Sequence, residues 1–182
     1  MISYLPGTTI EIELSDGRAA CLMLDNIFLG GGLVLSQVAQ LTGLEQYVIQ
    51  NWIKRGFLSP PQKKLYSKDQ FCRIVTINML RDSLRLDEIC GLISFVNGRL
   101  DDDSDNLLSD SELYYYYIRL LANTLCGDSV STASDKVLEG FTERMPGARK
   151  RVSSVLEIMY NAHSASVFRK RAEMMLGQIN NQ

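Results

Sequence analysis

Residues 45–66, EQYVIQNWIKRGFLSPPQKKLY, concentrate side chains whose types and spacing suit recognition of another molecule. On a helix Gln46, Gln50 and Lys54 recur every four residues, with Tyr47 and Asn51 in the adjoining row, so they form one outward polar strip. The carboxamides of Gln and Asn can bond the adenine edge through two atoms at once, and a Lys can reach guanine or phosphate. Arg55 ends the strip, and Lys63, Lys64 and Tyr66 follow within one short segment. Val48, Ile49 and Trp52 fall on the opposite face, which makes Trp52 a core residue. A polar helix face is by itself ordinary solvated surface. Here the order of the parts, described below, directs the reading towards nucleic acid.

Other chemistry finds less support. The one histidine, His163, has no carboxylate or cysteine at ligand spacing and is expected on a helix face. The chain has no nucleophile elbow, phosphate-binding loop or dinucleotide fingerprint, because Gly30-Gly31-Gly32 lacks the following Lys-Ser/Thr. No catalytic residue, metal site or cofactor is therefore expected, and the protein is not expected to be an enzyme. Tyr114, Tyr115, Tyr116 and Tyr117, near Asp110 and Glu112, are candidates for a small-molecule pocket. Core packing and helix contacts are the default for that run. Cys21, Cys72, Cys90 and Cys126 are widely spaced among apolar neighbours and are expected to be small buried hydrophobes.

These residues must be positioned by helices. LVLSQVAQLTGLEQYVIQNWIKR reads as two short helices broken at Thr42-Gly43, with Ser36 as a cap of the first. Gly56 ends the second, and Pro60-Pro61 favours an extended wing over 57–66, two stubs around Gln62-Lys63-Lys64. Ser67-x-x-Gln70 is a capping box that opens an apolar, central helix; Ile89, Leu92, Ile93 and Val96 mark another, stopped at Asn97-Gly98. Ser109-x-x-Glu112 starts a helix with the stripe Leu113, Tyr114, Tyr117, Ile118, Leu121 and Leu125. A weaker helix is expected at 136–143, then one long helix, or two joined near Ser164. TIEIEL suggests a short strand, and Leu22–Leu29 a helix packed on the C-terminal half.

At 182 residues and 46% hydrophobic content the chain can bury a sizeable core. The net charge of -2 hides an alternation: basic from Lys54 to Arg73, acidic from Asp101 to Glu112, basic again from Arg144 to Arg171. The last basic stretch has three expected destinations: the acidic loop at 101–105, a second subunit, or DNA. No stretch resembles a signal peptide or membrane span, so a cytoplasmic protein without membrane contact is expected.

LSQVAQLTGLEQYVIQNWIKRGFL, a proline-containing wing ending KKLYS, and DQFCRIVTINMLRDSLRLDEICGLI together resemble the winged helix-turn-helix of MerR-type transcriptional regulators. With LMLDNIF at 22–28, they are similar in particular to a less studied, functionally unassigned family of low-GC Gram-positive bacteria. The resemblance implies a mostly α protein: an N-terminal segment at 1–32, a winged helix-turn-helix at 33–98, and a helical dimerisation or effector region at 99–182. It matches Trp52 and Gly56 to the family's anchoring aromatic and terminating glycine. Gln50-Asn51 stands in place of the usual Arg-Tyr, and Lys64-Leu65-Tyr66 in place of the wing's Arg-x-Tyr. It implies double-stranded DNA as partner, a homodimer, and a small-molecule effector. The alternative is a helical protein-interaction module that keeps the helix-turn-helix as scaffold.

Overall fold

The computed structural model describes residues 2–98 and 107–180, and the acidic residues Asp101 to Asp105 lie outside them. The fold is mostly α, with eight helices and a two-stranded antiparallel sheet among the described residues. Strands β1 (Ile2–Tyr4) and β2 (Glu11–Glu13) pair with Ser3 opposite Ile12. Helix α1 (Gly17–Ile27) begins earlier than the sequence suggests, because the Asp16 carboxylate accepts hydrogen bonds from the Arg18 and Ala19 amides at 2.9 and 3.2 Å. It packs on the C-terminal half, as expected, through helix α6 (Asp110–Leu125).

Two short helices, α2 (Leu35–Thr42) and α3 (Gln46–Lys54), meet at Gly43, whose φ of 68° is the left-handed conformation that lets the chain turn so sharply. Ser36 is not the cap of α2. The Gln37 carboxamide oxygen accepts the Val34 amide at 3.0 Å, which places Val34 at the cap and Ser36 inside the first turn.

Helix α4 (Lys68–Leu80) is the hub, buried on nearly every side from Phe71 to Leu80. Its start is the expected capping box: Ser67 Oγ accepts from the Gln70 amide at 3.2 Å, and Gln70 Oε1 from the Ser67 amide at 3.0 Å. The same Gln70 donates from Nε2 to the carbonyls of Ser59 and Pro60 at 2.9 and 3.0 Å, tying the wing to the hub. On the other side the N-terminal segment lies so close that a Cβ on Gly7 would come 2.2 Å from the Val75 carbonyl oxygen. Tyr114 Oη donates to the Pro6 carbonyl at 2.5 Å and Asn78 Nδ2 to the Gly7 carbonyl at 2.9 Å, which hold that approach.

Helix α5 (Leu86–Asn97) stops at Asn97-Gly98 as expected. Along α6 the core stripe takes Leu120 in place of Leu125, which is exposed near the helix end. The weak helix lies earlier than expected, as α7 (Val130–Val137), because Ser129 accepts from the Thr132 amide at 3.1 Å and so starts it there. The last helix is one unbroken element, α8 (Ala148–Asn180), since serine near 164 does not interrupt a helix. One hydrophobic cluster, from Leu5 through Trp52, Ile74 and Tyr117 to Met159, runs through all three sequence segments. Cys21 and Cys72 belong to it, whereas Cys126, just beyond the end of α6, is exposed. No helix among the described residues is long and apolar enough to cross a membrane.

Candidate nucleic-acid interface

The polar strip on α3 is positioned by what lies beneath it. Ile49 and Trp52 are buried and Val48 is half-buried, so Gln46, Tyr47, Gln50, Asn51 and Lys54 must face outward. All five are exposed, Tyr47 by 69%, and among the described residues no hydrogen bond or ion pair engages their side chains. Arg55 follows at the helix end, its guanidinium 4.6 Å from the centre of the Phe57 ring.

The short wing expected around Gln62-Lys63-Lys64 is a tight turn, flanked by the bridges Gln62–Leu65 and Leu33–Tyr66. The Leu65 amide donates to the Gln62 carbonyl at 2.8 Å, and the two residues between, Lys63 and Lys64, have φ of 49° and 66°. Positive φ at both central positions is the geometry of a two-residue hairpin turn that normally selects Asn-Gly. Two lysines there are held in a conformation that costs free energy.

The turn sends its lysines to different sides. Lys64 joins Gln46 and Gln50 around a groove of about 530 Å³, with Val34, Leu35 and Ile53 in its wall. Lys63 lines a separate cavity of about 840 Å³ behind the wing. Tyr66, expected on the exposed contact edge, is only 2% exposed. Its backbone pairs with Leu33, the Tyr66 amide donating at 2.7 Å and the Leu33 amide returning at 3.0 Å, and this pairing turns the ring inward under the groove. Burial raises its phenol pKa, as for any hydroxyl withdrawn from water.

Several cations that appeared free in the sequence are engaged internally. Lys68 Nζ lies 2.8 Å from Asp25 Oδ1, which also accepts from Tyr115 Oη at 2.6 Å, and the Lys68 ammonium, then the tyrosine hydroxyl, lower the pKa of Asp25. Arg73, 3% exposed, donates through Nη1 to the Asp110 carboxylate at 3.3 Å. Burial nevertheless pushes the Asp110 pKa up, outweighing the neighbouring guanidinium. Arg169 and Lys170 pair with Asp82 at 3.7 and 2.8 Å, and Arg151 stacks on Phe95 and donates to its carbonyl at 2.7 Å. These links assign five basic residues of the two basic stretches to the fold itself. The cations left facing outward near α3 are Lys54, Arg55 and Lys64.

The tyrosine run does not line a common pocket. Successive residues on a helix are about 100° apart, so four consecutive tyrosines take different directions. Tyr114 reaches Pro6, Tyr115 reaches Asp25, Tyr116 packs edge-on against Phe141 at 6.3 Å, and Tyr117 Oη lies 2.6 Å from His163 Nδ1. His163 is thus a structural partner; burial, then the nearby Lys170, depresses its pKa to about 4. The sequence reading missed the Arg73–Asp110–Asn97 cluster, in which Asn97 Nδ2 donates to Asp110 Oδ1 at 2.7 Å. Its signal was a lone arginine inside the apolar run FCRIV, since a buried charge requires a partner.

No curated protein and no solved structure matches the chain. A family described as a domain of unknown function, DUF1836, matches residues 21–117, from within α1 to the middle of α6. The match takes in the α3 strip, the wing and both internal ion pairs of α4. It covers more than half of the sequence, and the chain therefore belongs to the DUF1836 family.

Proposed function

We propose that this protein is a non-enzymatic, cytoplasmic, DNA-binding transcriptional regulator. It reads a major groove with residues 45–55 and contacts phosphates with the wing at 57–66. The observation that carries the reading is the exposed strip Gln46, Tyr47, Gln50, Asn51 and Lys54, free of side-chain partners among the described residues, with Lys64 across one groove from it. The carboxamides supply bidentate hydrogen bonding, and Lys54, Arg55 and Lys64 supply charge. Two short helices with a tight turn between them, followed by a lysine-tipped hairpin, support the winged helix-turn-helix reading.

One such helix covers too little DNA for operator affinity, so a homodimer is part of the proposal. Beyond Ser166, α8 carries exposed Phe168, Met175 and Ile179 at spacings of seven and four, with Ala172 in the same row. That row is the seam two copies of the helix would share. Replacing Gln50 or Asn51 with Ala should cost about 1 to 3 kcal/mol on the cognate duplex alone, measured by fluorescence anisotropy. An equal loss on every duplex would reassign both residues to positioning.

A protein-interaction module is the second reading, favoured by the apolar side chains Val34, Leu35 and Ile53 in the groove wall. It predicts that Leu35→Asp abolishes capture of a protein partner and that random duplexes yield no motif.

A further inference from the structure

The cavity behind the wing opens where the hairpin turn, the start of α4, the end of α5 and the start of α6 converge. Its wall carries three basic residues, Lys63, Arg73 and Arg144, and three acids, Asp69, Asp110 and Glu112. Arg73 donates from Nε to the Phe57 carbonyl at 3.0 Å and from Nη1 to Asp110, but its buried Nη2 has no hydrogen-bond partner among the described residues. Asn97, 6% exposed, gives Nδ2 to the same carboxylate, while its buried Oδ1 is likewise unpartnered. Buried polar atoms in folded proteins are nearly always matched. One donor and one acceptor, each held by a group bonded to Asp110, therefore indicate a missing complement.

The chemistry of that complement is constrained. Arg73 is already balanced by Asp110, so the unmet need is neutral: an acceptor for Nη2–H and a donor for Oδ1. A carboxamide or peptide unit presents both within one planar group. A bare anion would leave Asn97 unmatched and would face three carboxylates. Among the described residues no aromatic side chain lines the cavity, so they offer no stacking surface for a nucleobase.

We propose that this cavity binds a small zwitterion bearing a carboxamide or peptide group, between a carboxamide amino acid and a dipeptide in size. The amide occupies Arg73 and Asn97. The ligand carboxylate turns towards Lys63, and its ammonium towards Asp69 and Glu112, which among the described residues use one oxygen each, on the Ser111 and Ser109 amides at 3.0 and 2.8 Å. At about 840 Å³ the space falls within the usual range of ligand sites. The proposal is independent of DNA binding.

The test is titration calorimetry and thermal unfolding of the full chain with millimolar glutamine, asparagine and glycylglycine, beside inorganic phosphate and adenosine. At least one of the first three should bind saturably at one site and raise Tm by several degrees at high occupancy. Leu65→Trp, which fills the cavity from the wing, and Lys63→Met should each weaken that binding at least about tenfold while the ligand-free Tm stays near native. No response to any of the three would mean that the unpartnered atoms hold a trapped water only, and would overturn the proposal. A response to phosphate or adenosine alone, or binding undiminished in both variants, would overturn it equally.

Discussion

Replacing Lys63-Lys64 by Asn-Gly should make the protein more stable and a weaker DNA binder at once. Both lysines hold positive φ, 49° and 66°, in a turn closed by the Leu65 amide on the Gln62 carbonyl. A left-handed conformation costs an ordinary L-residue about 1 to 2 kcal/mol. Asn and Gly adopt it readily, but glycine returns part of the gain, of order 0.5 to 1 kcal/mol, through its freer unfolded state. The net gain is about 1 to 3 kcal/mol, or roughly 2 to 12 °C in Tm for a chain of this size. Urea unfolding should show the midpoint rising with an unchanged slope. On duplex DNA, three phosphate-facing cations per protomer, Lys54, Arg55 and Lys64, give a dimer slope of log K against log salt of about -5. Loss of Lys64 from both protomers should reduce it by about 2. Opposite signs of the two effects exclude misfolding as the cause. A lowered Tm would refute the turn geometry, and an unchanged salt slope would refute the phosphate role of the wing.

Gly7→Ala should destabilise by about 3 kcal/mol or more in denaturant unfolding, because its Cβ would meet a backbone carbonyl and its φ is +75°. Arg73→Met should cost about 3 to 5 kcal/mol by stranding Asp110, and Arg73→Met with Asp110→Leu should recover much of that loss. His163, with its folded pKa depressed to about 4 against an ordinary value near 6.5, stabilises fully above pH 6.5. That contribution, about 2 to 4 kcal/mol, is lost as pH falls towards 4, and His163→Gln should remove this part of the pH dependence of Tm. Phe168→Ser with Ile179→Glu should shift the oligomer to monomer in sedimentation, with little change in far-ultraviolet circular dichroism; a persistent dimer would move the interface away from α8.

What was legible in the sequence was local. Ser67-x-x-Gln70, Ser109-x-x-Glu112, Gly43 and the stop at Asn97-Gly98 act within one helical turn, and each stands where its pattern indicates. The α3 face was equally readable, because Ile49 and Trp52 fix which side is buried. Misreadings arose where distant partners decide. Tyr66 turns inward because it pairs with Leu33, and nothing near it in sequence announces that. Arg73 and Asp110 lie 37 residues apart, and Lys170 and Asp82 are likewise far apart in sequence. The tyrosine run is a different case. Helical rotation already required four directions, and the aromatic composition obscured it.

The central claim, that the α3 strip and the wing form a sequence-reading surface, is tested most directly by selecting binders from random duplex DNA with the purified full chain at physiological salt. The account predicts enrichment of an inverted repeat whose half-sites lie about one helical turn apart, or a multiple of it, and loss of that motif in Gln50→Ala/Asn51→Ala. Recovery of no motif, with the protein folded and dimeric, would contradict it.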